Sequence, residues 1–76
     1  MKKGDRVIFI GGWHDIVKVG DCGVIEGVLA EEERKEIQEI WGTNKDYKYQ
    51  VYFNGTVLTV CEDDVVPVAI ASLVQF

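Results

Sequence analysis

Cysteine, proline and histidine are scarce in this chain, with two, one and one among 76 residues. The two cysteines, Cys22 and Cys61, stand 39 positions apart and form no CxxC pair. That excludes the disulfide framework of a small secreted domain and points to reduced thiols. A metal site built from His14, Cys22 and Cys61 lacks a close ligand pair. A nucleophilic set of Cys22, His14 and Asp15 has no supporting spacing. Gly20-x-x-Gly23 is followed by no helix, so it is not a phosphate-binding turn. The acidic triplet Glu62-Asp63-Asp64 has no cation-binding loop around it. No catalytic residue, metal or cofactor is therefore expected, and a chain this short leaves little room for a deep pocket.

Long apolar runs are also missing. None approaches the ~20 residues of a membrane-spanning helix. The basic start, Met1 to Arg6, leads only into Val7–Ile10, short of the about 7–15 apolar residues of a signal peptide. A cytoplasmic protein with no membrane partner is the expectation.

Bases are outnumbered, with eight lysines and arginines against 13 acids and a net charge of −5. The acidity is local. Residues 31–39 hold five glutamates against Arg34 and Lys35, a net of −3, and the triplet 62–64 adds another −3. The remainder has six bases and five acids. An acidic chain repels phosphate backbones, so a nucleic-acid partner is not expected. The basic alternative would use Lys2, Lys3, Arg6 and Lys18, with Trp13 or Tyr47 stacking on bases.

What is present is β-rich. Arg6–Ile10 is β-branched and aromatic and ends at Gly11-Gly12. A long loop over 11–21 closes on Gly20-Asp21. Cys22–Ala30 reads as a second strand whose two interior glycines signal a bulge or sharp bend. Asn54-Gly55 between Tyr47–Phe53 and Thr56–Cys61 is a strong two-residue hairpin signal. That turn sets Phe53 opposite Thr56, Val51 opposite Leu58, Tyr49 opposite Val60 and Lys48 opposite Cys61. One face of the hairpin is then apolar and the other mixed. Glu62-Asp63-Asp64-Val65 reads as a 3₁₀ turn before a short strand, Val66-Pro67-Val68, which its proline confines to an edge or a strand start.

Residues 30–42 leave two readings open. Helix formers dominate, acids crowd the start, Glu31 and Lys35 form an i,i+4 pair, and Gly42 suits a helix end. Ile37, Ile40 and Trp41 would be its apolar stripe. The other reading is an extra strand around Ile37–Trp41.

The order KKGDRVIFI, long loop, GDCGVIEGV, YKYQVYF-NG-TVLTV, EDDVVPV resembles the SH3-like small β-barrel across residues 3–68. It is similar to small bacterial and phage barrels and to a photosystem accessory subunit, and more loosely to KOW and Tudor-like domains. The resemblance implies a mainly β, five-stranded barrel with one short helix or extended insertion between strands 2 and 3. It further implies that loops 11–21, 31–46 and 62–65 gather at one side. No ALYDY-type segment or tandem tryptophan is present, which argues against a proline-rich ligand. KOW domains carry basic loops, whereas acids stand here.

On this geometry the expected function is a non-enzymatic protein-binding module (adaptor, accessory subunit or inhibitor) for a basic partner. Its docking residues would be Trp13, His14, Asp15, Glu32, Glu36, Trp41, Glu62, Asp63 and Asp64, aromatic anchors amid steering charge. A purely structural or oligomerisation role is the other alternative. The uncharged stretch 69–76, with Ile70, Leu73, Val74 and Phe76, is expected to pack on the barrel or join a second copy.

Overall fold

The computed structural model describes residues 1–11 and 15–68. They form a mainly β domain: a five-stranded antiparallel sheet with one helix between its second and third strands. The strands are β1 (Arg6–Phe9), β2 (Cys22–Val28), β3 (Tyr47–Phe53), β4 (Thr56–Cys61) and β5 (Val65–Pro67), and the helix is α1 (Glu31–Trp41). Their order in the sheet is β4-β3-β2-β1-β5.

The β3–β4 hairpin organises one half. Asn54 and Gly55 both take positive φ, 49° and 86°, as the tight turn demands. Phe53 pairs with Thr56, Val51 with Leu58 and Tyr49 with Val60. Beyond Tyr49 the register shifts, and Tyr47 rather than Lys48 stands opposite Cys61. The expected Lys48–Cys61 pair is thus corrected by a bulge, with Lys48 as the extra residue. A second irregularity lies in β2, where Ile25 pairs with Val51 but Gly27 with Gln50, leaving Glu26 unpaired. That is the bend its glycines signalled.

The core lies on one side of the sheet: Val7, Phe9, Ile25, Tyr49, Val51, Phe53, Val60 and Val65 are buried. Phe9 and Phe53 meet edge to face, their centroids 6.0 Å apart. Val17, from the loop after β1, is fully buried among them. The loop is tied down at its far end, where the Gly20 amide donates to the Phe9 carbonyl and the Phe9 amide to the Asp21 carbonyl.

The helical reading of 30–42 holds and the extra strand does not form. Acids occupy the first turn, and Gly42 ends the helix with φ 61° and ψ 41°, its amide donating to the Gln38 carbonyl. The expected apolar stripe is not buried. Ile37 is only partly covered, Ile40 is 70% exposed, and no α1 residue is buried.

After β4, Glu62–Asp64 form a 3₁₀ turn, and β5 begins at Val65, one residue earlier than expected. β5 pairs with β1, placing Pro67 opposite Val7. Among the described residues β4 and β5 remain the two edges of the ladder, so the five strands form an open order rather than a hydrogen-bonded ring.

Candidate functional site

The two acidic segments meet around the chain between α1 and β3. The Arg34 guanidinium grips the Asp46 carboxylate with two bonds, Nε to Oδ1 and Nη2 to Oδ2, both 2.7 Å. This fork holds the Asp46 carboxyl below its usual range, chiefly through the hydrogen bond from Arg34. The Gln38 amide donates to the carbonyls of Asn44 and Lys45, and Trp41 packs edge-on against Tyr47 at 4.8 Å. Just beyond, the Glu62 amide donates to the Asp46 carbonyl, and Lys48 Nζ lies 3.3 Å from Glu62 Oε1. The bond to Glu62 raises the Lys48 pKa.

Part of the expected acidity is therefore spent inside the chain. Glu62 is paired with Lys48, and Glu31 with Lys35 at 3.3 Å. Asp64 accepts the Cys61 amide through Oδ2, and its backbone carbonyl accepts the amides of Ile10 and Gly11. The Asp64 side chain closes so tightly on Gly11 that a Cβ there would stand 2.6 Å from Oδ1. Asp64 thus organises the 3₁₀ turn and fastens it to the end of β1.

Among the described residues, the acids that remain unpaired are concentrated on α1. Glu32, Glu36 and Glu39 are exposed, and their i, i+4, i+7 spacing sets them within about 60° of helix arc. Arg34, Ile37 and Gln38, on the other side, are partly covered. At the C-terminal end of α1, Ile40 is 70% and Trp41 55% exposed, and no base stands in the last turn. Asp63 is also exposed and bonds to none of the described residues.

Of the expected docking residues, Glu32, Glu36 and Trp41 belong to this helix, and Glu62, Asp63 and Asp64 to the neighbouring turn. Asp15 is exposed. Trp13 and His14, and the proposed oligomer residues Ile70, Leu73, Val74 and Phe76, lie outside the described residues. The basic set is not gathered. Lys2, Lys3 and Arg6 stand before and at the start of β1, while Lys18 sits beyond its other end, its carbonyl accepting the Asp21 amide.

Sequence reasoning missed that Lys48 pairs with Glu62 and that Asp46 takes up Arg34, the base inside the first acidic segment. Pairs separated by 12 and 14 positions become visible only once the fold is known. Cys61 is buried, and its thiol is pushed up to about 11, first by burial and then by the Asp64 carboxylate. Among the described residues no three His, Cys, Asp or Glu side chains form a metal-holding group, and no helix is long and apolar enough to cross a membrane.

The molecule is thus a small, mainly β antiparallel-sheet domain bearing one acidic helix. No family model, curated protein or solved structure matches it.

Proposed function

We propose that the chain is a non-enzymatic protein-binding module whose outward α1 face docks on a basic protein surface. The observation that carries this reading is the exposed row Glu32, Glu36 and Glu39, flanked about 75° round the helix by Ile40, which is 70% exposed. Carboxylates with no partner among the described residues steer a cationic partner, and the isoleucine supplies apolar contact area beside the row. Asp63, exposed on the 3₁₀ turn after β4, adds a further negative charge. The strand order β4-β3-β2-β1-β5, with a three-residue turn joining the edge strands, supports an SH3-like barrel as the scaffold. The structural alternative, a subunit with no partner of its own, leaves this row without a use.

The test is crosslinking in extract of the native host, comparing the natural chain with Glu32→Lys/Glu36→Lys/Glu39→Lys and with Ile40→Ala. Crosslinks from α1 to a lysine- or arginine-rich surface, lost in both variants, are the expected result. Equal crosslinking by all three chains overturns the reading. Asp64 is best left unchanged, because its loss would disturb the 3₁₀ turn and confound the outcome.

A further inference from the structure

A second surface lies on the sheet face that points away from the core. Arg6 pairs with Val24, Val24 with Tyr52, and Tyr52 with Val57, so these four side chains form one row across four strands. Val24 is 36%, Tyr52 44% and Val57 50% exposed. Beside the row runs a groove of about 360 Å³, lined by Arg6, Cys22, Val24, Tyr52, Asn54 and Val68. Its walls are mostly apolar, and among the described residues Arg6 is the only charge on them. The mixed face expected for the β3–β4 hairpin is thus apolar where it adjoins β2.

We propose that this groove is the docking site for the chain's own residues 69–76. Val68 is itself part of the groove wall, so the following segment leaves β5 already at the site. That segment, AIASLVQF, carries no charge and holds Ile70, Leu73, Val74 and Phe76. A wall with one charge favours such a strip over a charged peptide, whose charges would find few partners there. Reach is sufficient. From β5 to β4 is four strand spacings, about 19 Å, whereas eight extended residues span roughly 26 Å. Tethering also favours this occupant over a second copy, because a short linker holds the segment at an effective concentration of about millimolar.

Cys22 gives a native reporter, since it is an exposed thiol in the groove wall, whereas Cys61 is buried. In the full chain, the proposal expects NOEs from the Tyr52 ring and Val57 methyls to Ile70, Leu73 or Phe76 side chains, unchanged on dilution. It also expects Leu73→Asp/Phe76→Asp to speed modification of Cys22 by an aromatic disulfide reagent about tenfold, with Cys61 still protected. Unchanged Cys22 reactivity in an intact double variant overturns the proposal. So do NOEs seen only between differently labelled chains, which assign the groove to a second copy. Should Cys61 react, marking an unfolded variant, the NOEs of the natural chain decide alone, and their absence overturns it.

Discussion

A missing methyl group sets how closely β2 approaches its neighbours. A Cβ at Gly23 would stand 2.6 Å from the Phe53 ring and 2.7 Å from Val51. Both side chains are fully buried and have nowhere to move. Gly23→Ala is expected to cost about 1–3 kcal/mol in urea unfolding. At Gly27 the nearest atom is the Gln50 amide oxygen at 3.7 Å, so Gly27→Ala should stay within about 0.5 kcal/mol. The sequence alone presents these two glycines alike, as sites of a bend, because the packing that separates them comes from β3. Cys61 makes a second residue-level test. An ordinary thiol ionises near 9, but in the folded chain Cys61 ionises near 11. Its contribution to stability is therefore complete below pH 9 and is lost as pH rises toward 11, where the unfolded chain gains from ionisation. Urea midpoints of the natural chain should fall more between pH 8 and pH 10.5 than those of Cys61→Val. Parallel curves would contradict the assignment.

At the scale of elements, the sheet and the helix are secured differently. All five strands contribute to the buried core, whereas α1 buries no residue and is held by the Arg34–Asp46 fork, Gln38 and the Trp41–Tyr47 contact. Arg34→Ala should lower amide protection across Glu31–Trp41 about tenfold, with β3 unchanged. Acid should act in the same way. The fork's contribution is full above the ordinary carboxylate value of 3.8 and is lost as pH falls through the lower value Asp46 has when folded. Asp46→Asn should remove that acid-sensitive step from exchange in α1. The hairpin was legible in the sequence because Asn54-Gly55 is a local signal, whereas the helix was one of two readings, its glutamate-led run ending at Gly42 set against a strand around Ile37–Trp41. The shift at Lys48 was not legible, because a bulge answers to the strand beside it. Ladder closure was not legible either: five strands of the expected order leave open whether the two edges join.

At the scale of the molecule, the acidic row and the apolar sheet row lie on different elements. The carboxylates of Glu32, Glu36 and Glu39 line α1, while Val24, Tyr52 and Val57 lie on the outward sheet face. Net charge on the two acidic segments was readable in advance, but its distribution was not. Lys35 and Lys48 pair with Glu31 and Glu62, Arg34 is taken up by Asp46 outside both segments, and Asp64 is committed to the backbone of its own turn. The exposed remainder on the helix is what a cationic partner would meet. Because such steering is screened by salt, association should weaken markedly between low and physiological ionic strength. The most direct measurement is a titration of the isotopically labelled chain, followed amide by amide, with a lysine-rich amphipathic peptide and separately with a single-stranded oligonucleotide. Peptide-induced shifts confined to Glu32–Trp41 and Asp63, reduced by salt, are predicted. A silent helix, or oligonucleotide shifts at Lys2, Lys3 and Arg6 instead, would contradict the account.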